Sequence, residues 1–255
     1  MRGDWIRPAW RVSSRVQAVT TTNTGGWSVG RYAHFNLAAH VGDLAPAVHA
    51  NRRSLREDTG CRRIQWLNQV HGNRIIRASD LSAQTVPEAD GAWTESPGIG
   101  LAVLSADCLP VVVCDTSGLL VGIAHAGWRG LLAGVLQNLV QHMPVEGKDL
   151  SAWIGPGIGG SVYEVGEDVA ELVAKAVAVL DLAADLQTAV MRPGITTGKF
   201  LFDMMPLAVS MLRGCGVQQV VVASGCCTYR DERFYSYRRD GITGRMATLV
   251  WLLPQ

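Results

Sequence analysis

Residues 99–136 read IGLAVLSADCLPVVVCDTSGLLVGIAHAGWRGLLAGVL. Three apolar, β-rich runs follow one another at Gly100–Leu104, Leu109–Val113 and Leu119–Ala124, and a helical pattern takes over from Leu131. Asp115-Thr116-Ser117-Gly118 has the composition of a tight turn between the second run and the third. Hairpin-like pairing of this kind argues against a regular alternation of strand and crossover helix. It favours an α/β chain with mixed, stacked β-sheets flanked by helices on both outer faces.

Outward from this block, further strand-like runs fall at Val16–Thr20, Ile64–Val70, Ala152–Ile154, Val217–Ala223 and Met246–Leu252. Helical periodicity fits 46–58, 131–142, 165–180 and 202–213, with Pro46 suited to a first turn and Gly214 to a stop. No linker, charge block or repeat divides residues 1–255, so a single domain is expected. With 48% hydrophobic and 18% charged residues, the composition is that of a globular chain with a sizeable core. A net charge of +1 gives no reason to expect nucleic acid or a membrane surface as partner. The N-terminal stretch MRGDWIRPAWRVSSRV lacks the apolar segment of a signal peptide, and a cytoplasmic location is expected. Six cysteines without a CxxC pair are then expected to be thiols, with Cys114 a small buried hydrophobe.

Three apolar runs end alike. IQWLNQV leads to His71, LAVLSAD to Cys108 and LLVGIA to His125, each beside a turn residue. Two imidazoles and a thiolate form a three-coordinate set for Zn²⁺ with one position open, and would acidify a bound water towards about 7. The same donors suit copper. Without metal, Cys108 with His125 as its base makes a thiol–imidazole nucleophile. Spacings of 37 and 17 residues leave the fold to decide whether these side chains meet. A lone His125 is equally served by one backbone hydrogen bond. Asp107 adjoins Cys108, but alternation along a strand would turn it to the other face.

Several further stretches accompany these residues. They are Phe35-Asn36-Leu37, His40-Val41-Gly42-Asp43, Asn51-Arg52, Gln69-Val70-His71-Gly72, and Ala106-Asp107-Cys108-Leu109-Pro110. His125-Ala126-Gly127-Trp128-Arg129-Gly130, Ile154-Gly155-Pro156-Gly157-Ile158, Phe234–Asp240 and Gly244-Arg245-Met246 complete the set. In this order they resemble the bacterial YfiH family, once labelled multicopper polyphenol oxidase or laccase, over roughly residues 18–252. The resemblance implies an α/β fold like the catalytic domain of CNF-type deamidating toxins. It also implies zinc on His71, Cys108 and His125, and purine nucleoside phosphorylase activity with adenosine deamination. The expected small-molecule partners are then a purine nucleoside (adenosine, inosine or methylthioadenosine) and phosphate; self-association is left open. The loop from Thr21 to Arg31 departs from the family pattern at Asn23, Trp27 and Arg31, so any substrate preference set there does not carry over.

Phosphorolysis needs an anion site and polar contacts to base and sugar. Arg129 and Arg238 are the candidate phosphate holders, and Asn36 and Gln69 the candidate substrate contacts. Deamination would need an acid/base, for which Glu164 and Asp107 are candidates. The chain lacks the H-x-E…P-C-x-x-C signature of ordinary zinc deaminases. An alternative within the same family is a peptidoglycan-precursor editing amidase that removes L-Ser from UDP-MurNAc-L-Ser. Six histidines are too few for a true multicopper oxidase, although copper at the zinc site would permit slow phenol oxidation. A purely structural zinc would need a fourth ligand, with Cys227 the candidate.

Overall fold

The structure, a computed structural model, describes residues 4–80, 84–179 and 184–254. Its strands are β1 (Val16–Thr20), β2 (Arg63–Gln65), β3 (Ile75–Arg77), β4 (Gly91–Thr94), β5 (Ile99–Ser105), β6 (Leu109–Asp115) and β7 (Val121–Ala126). They continue with β8 (Leu150–Ile154), β9 (Glu164–Val165), β10 (Met191–Pro193), β11 (Phe200–Phe202), β12 (Gln219–Val222) and β13 (Met246–Leu252). The α-helices are α1 (Ala45–Thr59), α2 (Trp128–Leu132), α3 (Val135–His142), α4 (Glu167–Val179), α5 (Ala184–Val190), α6 (Met204–Gly214) and α7 (Tyr237–Asp240).

Two mixed sheets carry the architecture. One has the order β1-β13-β5-β2, the other β12-β8-β6-β7-β4-β3, and a small sheet β10-β11-β9 stands apart. Alternation of side chains explains the layering. Val112 and Cys114 of β6 and Ile123 of β7 meet Leu101 and Val103 of β5 and Val250 of β13 between the two large sheets. The opposite face of β6 and β8, with Val111, Val113, Ala152 and Ile154, packs on apolar residues of α3, α4 and α6. The outer face of the other sheet, with Ala102, Leu104 and Leu249, packs on Leu55 of α1 and on Phe35 and Leu37 from the loop before that helix. The result is a helix–sheet–sheet–helix stack, the mixed α/β layering read from residues 99–136.

The β6–β7 hairpin forms with Asp115 at its turn, where the carboxylate accepts from the amides of Leu119 and Leu120. β5 does not join that hairpin. It pairs with β13 and β2 in the other sheet, so the chain changes sheets at Ala106-Asp107-Cys108. Of the expected 64–70 strand, only Ile64 and Gln65 lie in β2 and Asn68 makes an isolated bridge to Glu88, because the chain then turns onto Asp90. The expected 131–142 helix is two helices, broken where Gly134 adopts φ 81°. α4 starts two residues later than expected, after β9. The β9–β10–β11 sheet had no counterpart in the sequence reading: its strands are two or three residues long, too short for a periodic signal. Gly214 ends α6 as its last residue, and the left-handed position follows at Gly216. Among the described residues no helix is long and apolar enough to cross a membrane.

Candidate active site

The change of sheet after β5 creates a corner, and the candidate residues gather there. Cys108 immediately precedes β6, and antiparallel register sets Pro110 opposite His125 near the end of β7. Continuing that register brings Gly127 against Cys108. A Cβ on Gly127 would lie 2.9 Å from Cys108 Sγ and 3.0 Å from His71 Cδ2, so only glycine leaves room for the three side chains. His71 arrives from the loop between β2 and β3 with φ 61°.

That loop is organised by one carboxylate absent from the sequence reading. Asp90, fully buried at the edge of β4, accepts from the amides of Val70 (3.1 Å), His71 (3.0 Å) and Gly72 (2.7 Å). The same carboxylate lies 2.8 Å from His125 Nδ1, and the Asp90 carbonyl accepts the His125 amide at 2.7 Å. Asp90 therefore fixes two of the three candidate ligands at once. It occupies Nδ1 of His125 and leaves Nε2 as the available nitrogen.

One donor atom from each of His71, Cys108 and His125 lies within 4.8 Å of the others, with Cys108 Sγ 4.0 Å from His71 Nε2. Donors around a tetrahedral zinc stand roughly 3.3–3.6 Å apart, so the set fits such an ion after a small inward adjustment. Burial would push the Cys108 thiol up, but His125 and then His71 outweigh it and draw it down to about 6. Burial would lower His125, yet the Cys108 thiolate and Asp90 lift it to about 9. The metal-free site therefore favours a thiolate–imidazolium pair at neutral pH.

The three residues line a cavity of about 390 Å³. Its apolar and aromatic walls include Ile158, Met204, Trp128, Tyr163 and Tyr237, and cationic groups enter from Arg129, Arg238 and Arg245. The Arg129 guanidinium lies 4.3 Å from the centre of the Trp128 ring, and that of Arg238 4.8 Å from the Tyr163 ring. Arg238 also donates to the Glu164 carbonyl at 2.6 Å. His40 stands on the wall as well, its imidazole held below its ordinary value by burial and then by Arg245 and Arg52.

Not every candidate arrives. Asn36 is fully buried away from the cavity; it donates to Ala38 O and Asp43 Oδ2 and accepts from the Arg245 amide, a structural role for this expected substrate contact. Gln69 lines the cavity, but its carboxamide is held by both backbone groups of Leu104. Glu164 turns its carboxylate to Ile195 and Thr196, which removes it as an acid/base at this site. Asp107 does face the cavity, against the strand-alternation argument, because φ 103° takes it out of the strand. Its oxygens accept from Thr228 Oγ1 and the Arg238 amide. Cys227 Sγ accepts from the Gly159 amide at 3.2 Å and is not in the ligand cluster. Cys114 is a core residue, as expected.

His40, Asp90, Tyr163, Tyr237 and Arg245 escaped the sequence reading. His40, Tyr237 and Arg245 lay inside the quoted motifs, which was a usable signal. Asp90, between Ala89 and Gly91, carried none.

Comparisons with known proteins coincide with this geometry. The family described as multi-copper polyphenol oxidoreductase laccase matches residues 17–253. A purine nucleoside phosphorylase of Pseudomonas aeruginosa is 43% identical over 97% of this chain and 98% of its own length. The Escherichia coli purine nucleoside phosphorylase YfiH is 37% identical, over 97% and 98%. Among solved structures, a Neisseria meningitidis protein superposes with a TM-score of 0.90 at 37% identity, covering 98% of this chain and all of that one. YlmD from Geobacillus stearothermophilus gives 0.89 at 31%, over 100% and 98%. The corner between the two sheets and the His71, Cys108 and His125 cluster thus sit in a chain that belongs to the YfiH, or laccase-like, family of enzymes.

Proposed function

We propose that this chain is a purine nucleoside phosphorylase, acting on adenosine, inosine or methylthioadenosine with inorganic phosphate. The observation that carries the reading is one cavity in which a metal-capable cluster, aromatic walls and three arginines converge. In phosphorolysis a phosphate oxygen bonds to the sugar C1′ while the C1′–N9 bond breaks and its electron pair leaves with the purine, which takes up a proton. Arg129, Arg238 and Arg245 offer fixed cations for the phosphate. Tyr163, Tyr237 and Trp128 offer flat faces for the base. Ile158 and Met204 limit water beside the glycosidic bond.

His71, Cys108 and His125 would hold zinc, which supplies a Lewis acid when bound. Deamination of adenosine, in which water oxygen bonds to C6 while the C6–N bond breaks and the amine leaves protonated as ammonia, is proposed as the second activity of the same cavity. A single three-ligand cluster among the described residues is too small for the several coppers of a multicopper oxidase.

One observation favours a second reading, the precursor-editing amidase. Asp90, His125 and Cys108 stand in the carboxylate–imidazole–thiol series of a cysteine hydrolase. Mass-spectrometric analysis decides between them. With adenosine and phosphate, formation of adenine and ribose 1-phosphate, absent in Cys108→Ala, is expected. Release of serine from UDP-MurNAc-L-Ser with no phosphate consumed would replace this reading by the second.

A further inference from the structure

Between α1 and the segment entering β2, a shallow depression of about 330 Å³ is lined by Arg52, Arg53, Arg56, Arg62, Arg63 and Trp66 beside Ile64. No acidic residue lines it, although the chain as a whole carries a charge of only +1. Five cations in one concavity repel one another, and the chain does little to neutralise them. Asp80 pairs with Arg62 at 2.8 Å, and its carbonyl accepts from Arg63. Among the described residues, Arg53 and Arg56 have no carboxylate within ion-pair distance.

Arg52 is held rather than free. Its Nε donates to the Leu37 carbonyl at 2.8 Å and its guanidinium lies 4.0 Å above the centre of the Trp66 ring. Among the described residues, that leaves both terminal nitrogens of a half-buried cation without a hydrogen-bond acceptor. Positioned guanidinium groups with unused donors match phosphate oxygens, which accept in pairs. The residues come from two elements, the last turns of α1 and the segment entering β2, so helical spacing alone does not create the cluster.

We infer that Arg52, Arg53, Arg56, Arg62 and Arg63 form a second anion site, separate from the catalytic cavity, that binds a small phosphate-bearing ligand through its di- or polyphosphate group. The depression is shallow and its polar lining is all guanidinium, so it offers partners to a pyrophosphate unit, and any attached group would extend into solvent. None of these residues lines the catalytic cavity. The inference does not rest on the activity proposed above.

The test is calorimetric titration with inorganic pyrophosphate, using the full chain, the double variant R53E/R56E and, separately, Arg238→Gln. Arg53 and Arg56 are exposed, so the double variant is expected to fold, which its circular dichroism and melting curve would show. Pyrophosphate affinity is expected to fall at least about tenfold in R53E/R56E and to persist at this site in Arg238→Gln, with catalytic turnover unaltered in R53E/R56E. ADP should bind no more than a few-fold differently from pyrophosphate. Unchanged pyrophosphate binding in folded R53E/R56E would overturn the site. So would tight, steeply salt-dependent binding of a short RNA in the absence of pyrophosphate binding, which would identify the patch as a nucleic-acid surface.

Discussion

Asp90 holds His125 from both sides of the peptide: its carboxylate lies 2.8 Å from Nδ1, and its carbonyl accepts the His125 amide. Three amides of the His71 loop close on the same carboxylate. The candidate ligands are therefore oriented before any ion arrives, which lowers the ordering cost of binding one. Replacing Asp90 by Asn preserves shape but loses the charge facing His125. Zinc affinity, read by competition with a chromogenic chelator, is expected to fall about 10–100-fold. Asp90→Ala would also leave buried amides unsatisfied and cost roughly 1–3 kcal/mol of stability. Wild-type zinc affinity in Asp90→Asn would refute the orienting role.

Gly127 makes a second, steric prediction. Its φ of −72° is open to any residue, so Gly127→Ala strains no backbone. The added methyl instead meets Cys108 Sγ and His71 Cδ2. The variant is expected to melt near the wild-type temperature while losing zinc and turnover. Gly60→Ala should do the reverse: at φ 69° with nothing within 4 Å, it costs about 1 kcal/mol of stability and leaves activity intact. A thermal melt and a zinc assay on both variants separate the two cases.

Thiol chemistry gives a pH-dependent prediction for the metal-free protein. The imidazole charges draw Cys108 down to about 6, so its alkylation rate by iodoacetamide should rise through that pH and level off above it. Burial pushes Cys61 up to about 11 and Cys114 up to about 12, so neither should be labelled at neutral pH before unfolding. Peptide mapping after labelling reads all three. Bound zinc should protect Cys108; equal labelling with and without zinc would remove it from the ligand set.

The arginines predict a split between the two substrates. Arg129→Gln keeps a polar, hydrogen-bonding side chain but shortens it and removes the cation stacked on Trp128. The KM for phosphate is expected to rise about tenfold or more, with the KM for nucleoside changing only a few-fold. Asn36→Ala should leave both KM values near wild type and lower the melting temperature, because it removes a buried bridge between Asp43 and the Arg245 amide. A large rise in nucleoside KM for Asn36→Ala would return that residue to the substrate.

Much of the site was legible because chemistry-bearing residues stand out where an apolar run ends. His71, Cys108 and His125 could be gathered on that ground, and the hairpin turn at Asp115 was visible in composition. Asn36 misled because a buried polar residue and a ligand contact look alike in sequence. Both are polar groups in apolar surroundings, and only the partner distinguishes them. Asp107 misled because strand alternation does not apply where φ turns positive.

By itself the sequence determined the local structure around the corner: continuous apolar, β-rich runs specify β6 and β7, and a short polar turn fixes their register, which sets His125 beside Cys108. It also determined the donor set, since side-chain identity alone makes imidazole and thiolate ligands. Only the tertiary structure decided that β5 and β6 separate into different sheets, that Asp90 closes on His71 and His125, and that Arg238 and Arg245 reach the same cavity. The physical reason is range. Local patterns record what a residue does to its neighbours along the chain, whereas a buried charge and its partners meet only when distant strands pack and water is excluded between them.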